Sequence, residues 1–266
     1  MRNRGLLWGL LVLLAGVLFL LDNLGFLPIS AWSLIFPVAL IMIGLWFLLG
    51  PLVFRQVVET RSLSIPLDGI TEARMKIRHG GGELNISSTP EGMNLLEGIF
   101  SGGVDEKVNR TGAVANVKLR MPEMDWWGFP SAFPHKGLRW DITLNRGITY
   151  SLDLKTGASK SRLDLLDMIV TDIRLETGAS DTEIFLPEQP GYSKADFHFG
   201  SARVDLHVPK NVAAKIQIKG ALMNTEEIDK NRFPLSDEGY CSPDYANATN
   251  KIDIFIEAGV GKVVIN

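Results

Sequence analysis

The segments LKTGASKSRLDLL (154–166) and LETGASDTEIFLP (175–187) share one plan: apolar residues, then Thr-Gly-Ala-Ser, then apolar residues again. A catalytic loop normally occurs once, whereas a corner that every layer of a stacked architecture needs occurs many times. On both sides of the motif apolar and polar residues alternate, which is the period of a β-strand. A phosphate-binding loop is disfavoured, because such a loop leads into a helix and strands follow here. The motif is therefore interpreted as an architectural corner.

The corner recurs along most of the chain. The corner glycines that the pattern predicts are Gly81, Gly157, Gly178, Gly200, Gly220 and Gly259. Four of them are separated by 21, 22 and 20 residues, and the last follows after 39, about two intervals. Units of this length, each burying its apolar edge on the next, are typical of repeat proteins. The sequence predicts an all-β, β-solenoid-like domain over residues 62–266, with corner glycines at positive φ. The segment 93–100 fits a short helix or a strand equally well.

The first 54 residues have a different character. Two apolar segments, at about 5–27 and 31–54, have no charged residue except Asp22 and reach the roughly 20 residues that a membrane-spanning helix needs. A short turn containing Pro28 separates them. We expect a transmembrane helical hairpin over residues 1–55 and a linker over 56–61.

Positive charges predict how this hairpin is oriented. Arg2 and Arg4 precede the first segment, Arg55 and Arg61 follow the second, and the turn between the segments has no lysine or arginine. The positive-inside tendency then places both termini and the β domain in the cytoplasm, with the protein in the cell membrane. A secretory signal peptide is the alternative, disfavoured because no small-residue cleavage site follows the first segment.

Charge and cysteine content narrow the classes of function. Subtracting the four arginines and two acidic residues of the first 61 positions from the chain's 27 basic and 30 acidic residues leaves 23 and 28, a net charge of −5. Such a domain is not expected to bind nucleic acid, whose binding surfaces are basic. The single cysteine, Cys241, excludes an intramolecular disulfide framework.

Two insertions interrupt the repeats, near 121–140 and 223–250. The first contains MDWWGFPSAFPHKGLRW (124–140), whose prolines and glycines exclude a regular central strand. Clustered aromatic residues serve protein or membrane contacts, but they also cap the end of a stack. The residues proposed for contact with a partner protein or membrane lipid are Trp126, Trp127, Phe129, Phe133 and Trp140. The second insertion is polar and predicted to be a mobile loop with Cys241 exposed.

The sequence gives no indication that candidate catalytic side chains come together in one site. His198 and His207, with Asp196 and Asp205, alternate to the polar side of their strands. Imidazole and carboxylate are ordinary metal ligands, but a solvated strand face is the favoured interpretation. His79 adjoins a glycine corner and is expected to be exposed. Neither a nucleophile elbow, a zinc motif nor a triad spacing occurs. The sequence predicts no enzymatic activity, no cofactor, no metal and no small-molecule substrate.

Two parts of the chain resemble a known bacterial family. LLWGLLVLLAGVLFLLDNLGFLPISAWSLIFPVALIMIGLWFLL resembles the LiaI–LiaF-like membrane region. ITEARMKIRHGGGELNI, with WDITLNRGITYSLDLKTGASKSRLDLLDMIVTDIRLETGASDTEIFLP, resembles the toastrack β domain joined to it. The resemblance implies a non-enzymatic regulator or scaffold of the cell-envelope stress network, acting through contacts with signalling proteins such as a sensor kinase. A related branch is adhesin-like, so an exported adhesin-like module anchored by the hairpin is the alternative.

Overall fold

A computed structural model describes residues 60–89, 92–122, 138–224, 227–236 and 238–266. At 221–224 it describes the backbone alone. It also describes four helical positions between 37 and 44. Nearly all of these residues belong to one compact unit, residues 58–123 with 135–266. The predicted hairpin and the aromatic residues Trp126, Trp127, Phe129 and Phe133 lie outside the described residues. Within the described residues, no helix has the length and hydropathy required to cross a bilayer.

The described part of the domain is built from strands. They are β1 (Thr60–Pro66), β2 (Glu72–Thr89), β3 (Asn94–Ser101), β4 (Asp105–Thr111), β5 (Val114–Arg120), β6 (Arg139–Asn145), β7 (Thr149–Asp164), β8 (Ile169–Phe185), β9 (Tyr192–His207), β10 (Ala213–Asn224), β11 (Leu235–Ser236), β12 (Gly239–Cys241) and β13 (Lys251–Ile265). They form one sheet in the order β1-β3-β6-β2-β7-β8-β9-β13-β10-β12-β11, with β5 beside β2 and β4 beside β5. The prediction of a stacked all-β domain is confirmed, and the ambiguous segment at 93–100 is strand β3.

Long parallel strands form the centre of the sheet. β2, β7, β8, β9 and β13 pair in this order in parallel, and each is 15 to 18 residues long. Only residues 165–168 separate the end of β7 from the start of β8. The start of β8 nevertheless pairs with the start of β7, not with its end. Five residue steps reach roughly 18 Å, whereas a straight 16-residue strand would span about 50 Å. Each long strand must therefore bend back on itself.

The burial pattern marks where the bend occurs. Along β7 the buried side chains stand at even positions up to Leu154 and at odd positions from Ser159 onward. The change falls on the Thr-Gly-Ala-Ser motif, and β2, β8, β9 and β13 show the same change at their own glycines. The sequence predicted two strands joined by a corner. The structure instead has one continuous strand with a first arm before the bend and a second arm after it, and both arms bury their apolar side.

A single apolar cluster fills the space that the arms enclose. The largest fully buried side chains in it include Trp140, Tyr150, Phe100, Phe197 and Phe233. The Tyr150 hydroxyl donates a 2.8 Å hydrogen bond to the Asn145 carbonyl, and burial raises the pKa of this phenol. The polar end of this large side chain is thus satisfied within the core.

The insertion at 223–250 is anchored, so the prediction of a mobile loop is wrong for its described residues. Phe233 is fully buried, and the Arg232 guanidinium donates hydrogen bonds to the carbonyls of Val208, Pro209 and Val212. β12 pairs with the start of β10 and carries β11 at its other side. Cys241 is consequently half-buried rather than exposed, and burial raises the pKa of its thiol.

Candidate protein-interaction surface

Stacking aligns the glycines of successive layers. The resulting glycine line consists of Gly80, Gly157, Gly178, Gly200 and Gly259. Two predicted corner residues lie one position away from it: Gly81 pairs with Ala158, and Gly220 pairs with Ala258. The sequence pattern therefore located the bend to within one residue in every layer.

The reason for glycine differs from the predicted one. No residue of the glycine line has positive φ, so that prediction is wrong. The constraint is instead the close approach of neighbouring backbones. A Cβ atom at Gly157 would lie 2.1 Å from the carbonyl oxygen of Gly80, and one at Gly200 would lie 2.5 Å from that of Gly178. Glycine is required because the next layer's carbonyl occupies the space of a side chain.

His79 and Trp140 lie together inside the bend. His79, expected to be exposed, is 2% exposed, because its position on β2 faces the core. Its ring centre is 5.0 Å from that of Trp140, which also packs edge-on against Phe100 at 5.0 Å. Trp140 is fully buried. It is therefore not available to a partner or to lipid, and its proposed contact role is corrected to a core role.

Several polar atoms in this interior have no hydrogen-bond partner among the described residues. They are both ring nitrogens of His79, Nε1 of Trp140 and the hydroxyls of Ser180 and Thr182. An unpartnered buried imidazole is disfavoured in its charged form. Burial accordingly lowers the pKa of His79 to about 4.

Acid should destabilise the domain through His79. Between its ordinary pKa of 6.5 and its folded pKa of about 4, the unfolded chain binds the proton more readily. The stabilisation is complete above pH 6.5 and is lost as the pH falls towards 4, where the loss reaches about 3 kcal/mol at roughly 1.4 kcal/mol per pKa unit. We expect His79→Leu to reduce the pH dependence of urea melts by this amount, and His207→Gln, which removes a histidine that points outward, is the matched control. An unaltered pH profile for His79→Leu would contradict the assignment.

Rows of alternating charge cover the outward face of the first arms. One row runs across the layers as Lys76, Asp153, Arg174 and Asp196. A second row, called the edge row here, consists of Lys155, Glu176, His198, Glu257 and Lys219. Arg78, which pairs with Lys155 at the start of the edge row, donates from both terminal nitrogens to the Asp153 carboxylate at 3.0 and 2.8 Å, and these hydrogen bonds lower the pKa of Asp153. Exposed pairs each contribute little stability, but opposite charges side by side favour this register over a shifted one.

The second arms present a similar row. It reads Arg139, Glu83, Lys160, Asp181 and Arg203 across successive strands. Next to it, Arg162 contacts Glu183, and the His207 ring stacks on Phe185 at 4.3 Å. Both outward faces are thus covered by charges that neutralise one another, a surface suited to contacts with other proteins and unlike the uniformly basic surface that nucleic acid requires.

The candidate ligands His198 and His207 do not converge. His198 lies on the first arm of β9, where Nε2 is 2.8 Å from Asp196 and Nδ1 is 3.3 Å from Glu257. His207 lies on the second arm, 3.6 Å from Glu183. Both side chains point outward, as predicted. Across the described ranges, no group of three or more histidine, cysteine or acidic side chains is placed to hold a metal ion.

A shallow groove of about 880 Å³ follows the glycine line. One of its sides is the edge row, in which Lys155 Nζ lies 2.5 Å from Glu176 and His198 contacts Glu257. Its floor is the backbone of the glycine line. Most of the charges beside the groove are paired with one another, so its surface is polar and carries both signs of charge.

The two ends of the stack differ. At the first end, β5 pairs with the first arm of β2 and β6 pairs with its second arm. At the last end, β12 pairs with β10 only at Lys215 and Ile216. Over residues 218–224, β10 pairs with β13 on one side, and no described strand pairs with its other side. This open edge exposes backbone groups that can pair with an additional strand.

Sequence reasoning did not single out the open edge or Lys219, which ends the edge row. The available signal was the charge alternation at the layer interval: Lys155 and Glu176 are 21 residues apart, and His198 follows after 22. β13 follows the insertion in the sequence but lies between β9 and β10 in the sheet. Lys219 can therefore be assigned to this row only when the order of the strands is known.

Comparison with known families adds to this geometry. Residues 54–207 match the sequence family described as Toast_rack_N, the N-terminal domain of toast_rack, DUF2154. This is more than half of the chain. The chain belongs to this family. The match ends with β9, so the last layers of the toastrack domain, β10 and β13, lie beyond the matched region.

One solved structure has a similar fold. It is titled a "putative cell adhesion protein" from Clostridium sporogenes ATCC 15579, and it aligns with a TM-score of 0.69 and 20% identity over 78% of this chain and 98% of that one. At this identity the likeness shows the fold alone. No curated protein matches the chain. A toastrack domain fits a protein–protein interaction module.

Proposed function

We propose that the chain is an integral membrane regulatory or scaffold protein of the bacterial cell-envelope stress response. Its toastrack domain acts in the cytoplasm by binding other proteins, with a membrane-associated signalling protein such as a sensor kinase as the partner. The observation that carries this proposal is the character of the described surface. It consists of neutralised charge rows, a shallow groove and an open strand edge, and the described residues hold no metal-binding cluster.

The membrane part of the proposal rests on the sequence. The apolar segments at 5–27 and 31–54 are long enough to span a bilayer, and they place lipid among the partners. The four flanking arginines favour a cytoplasmic toastrack domain. The resemblance of the same segments to LiaI–LiaF-like membrane regions supports the connection with envelope stress.

Membrane topology tests this proposal, and a cysteine at the exposed end of the chain is a suitable reporter. In an Asn266→Cys variant that also carries Cys241→Ser, a membrane-impermeant maleimide should leave intact cells unlabelled and should label permeabilised cells. Labelling of denatured protein controls for reagent activity. Labelling in intact cells would contradict the cytoplasmic scaffold and support the second candidate, an exported adhesin-like module, which the adhesion-protein neighbour favours.

A further inference from the structure

The chain supplies its own carboxylates to two lysines at the last end of the stack. Lys215 of β10 pairs with Glu238, and Lys262 of β13 lies 2.6 Å from Glu227. Both carboxylates belong to the anchored insertion. At both places an acidic side chain of the insertion pairs with a lysine near the end of the stack.

Lys219 is different. It ends the edge row beside Glu257, is exposed, and has its Nζ atom 5.3 Å from the centre of the Phe255 ring. Among the described residues, no salt bridge joins Lys219 to a carboxylate, in contrast to Lys215 and Lys262. An acidic side chain next to Lys219 would complete the same kind of pair.

The described inward positions at the open edge are apolar or glycine. Across the last layers, paired inward positions carry smaller and smaller side chains, from Phe199 in β9 to Ala258 in β13 and Gly220 in β10. The neighbouring column ends at Ile218, which is only half-buried although it packs on the core. An added strand would bury more of Ile218 and would cover Gly220, which is exposed.

We propose that the open edge of β10, residues 218–224, binds an extended segment of a partner protein by strand addition, and that this segment carries a carboxylate between two apolar side chains. In such binding, backbone hydrogen bonds supply affinity and alternate side chains supply specificity. Seven residues of strand span about 23 Å, the length of an ordinary strand. This inference rests on the proposed function and defines the chemistry of the partner.

A second copy of the chain fits the edge less well. Antiparallel pairing of 218–224 with itself would be centred on residue 221, which sets Lys219 opposite Met223 and provides no carboxylate. Head-to-tail stacking would have to use β4 or β1, the outer strands at the first end, each of which pairs with a described strand on one side only. We take a segment of a different protein as the occupant, and sedimentation tests the second copy.

Two synthetic peptides test the proposal on the full-length chain in detergent. One alternates valine with glutamate (Thr-Val-Glu-Val-Glu-Val-Thr), and the other replaces both glutamates by lysine. Fluorescence anisotropy should show at least tenfold tighter binding of the acidic peptide. Lys219→Gln should remove this preference, Lys219→Glu should reverse it, and Lys210→Glu, an equally exposed change in a loop, should leave it intact. Hydrogen–deuterium exchange should show protection of 218–224 on binding and none in β4, an edge strand at the other end.

Other outcomes overturn the proposal. Equal binding of both peptides, no binding of either, an equal effect of Lys210→Glu, or unprotected amides at 218–224 would each exclude acidic strand addition at this edge. Sedimentation that reveals a dimer dissociated by Lys219→Glu would assign the edge to a second copy. If a signalling partner is crosslinked in cells while the peptides fail, the proposed function stands and this inference alone is wrong.

Discussion

Replacing Gly157 by alanine should destabilise the toastrack domain by about 3 kcal/mol, the largest loss along the glycine line. The added Cβ would lie 2.1 Å from the carbonyl oxygen of Gly80, a backbone atom that cannot rotate away as a flexible side chain would. Relief requires the bent strands to move apart, and overpacking of this kind typically costs about 1–3 kcal/mol, occasionally more. Urea unfolding of the fragment 58–266 measures the loss.

The matched control is Gly178→Ala. Here the added Cβ would lie 3.3 Å from the carbonyl oxygen of Gly157, so a small adjustment accommodates it and the expected loss is below about 1 kcal/mol. Alanine at Gly200 and Gly259, where the distances are 2.5 and 2.7 Å, should fall between these two variants. Equal midpoints for the Gly157 and Gly178 variants would contradict the close-approach explanation. From the sequence alone, these two glycines appear equivalent.

Trp140→Ala should cost about 3–5 kcal/mol, the range for removing a large buried aromatic side chain. The ring is fully buried between His79 and Phe100, with centre-to-centre distances of 5.0 Å to each. The same unfolding measurement on the fragment 58–266 checks this value. A midpoint close to that of the unsubstituted domain would mean that Trp140 contributes nothing to the core.

Trp140→Phe is the conservative control for this position. It keeps an aromatic ring and removes the indole nitrogen that has no partner among the described residues. We expect it to recover most of the stability that alanine loses. Equal losses for phenylalanine and alanine would contradict apolar burial of an aromatic ring as the source of the stabilisation.

Local patterns predicted the strands and the bend. Period-two alternation identified the strands, and the repeated Thr-Gly-Ala-Ser motif located the bend in β7 and β8. The run Gly80–Gly82 left the bend in β2 ambiguous by one residue, because a run of glycines does not show which member faces the neighbouring carbonyl. Gly157 is required because the backbone of another layer lies close to it. The sequence around Gly157 does not show where that backbone lies, so it cannot distinguish a need for positive φ from a need for empty space.

The errors at His79, Trp140 and the second insertion have a common physical origin. His79 looks like an exposed corner residue only if the strand ends at the glycines, whereas the strand continues and turns the side chain inward. Trp140 follows a proline-rich segment, yet it belongs to β6 and faces the core. Phe233 and Ile228 anchor the polar insertion, and these two apolar residues, five positions apart, give no period-two signal.

The candidate surface was only partly predictable. The outward positions of His198 and His207 follow from strand alternation. The neutralising rows require the register, because the members of each row come from different layers. The open edge requires the strand order, which places β13 before β10. Sequence reasoning that examines one strand at a time does not include these pairings.

Site-specific photocrosslinking in intact cells tests most directly whether the toastrack domain holds a partner protein at the end of its stack. A photoreactive phenylalanine replaces Lys219 on the open edge, Arg174 and Arg203 on the two outward faces, or Lys210 in a loop. We predict an adduct with a membrane-associated signalling protein at position 219 and none at position 210. If none of the positions 219, 174 and 203 gives an adduct with another protein, the proposal of a scaffold that acts through this domain is contradicted.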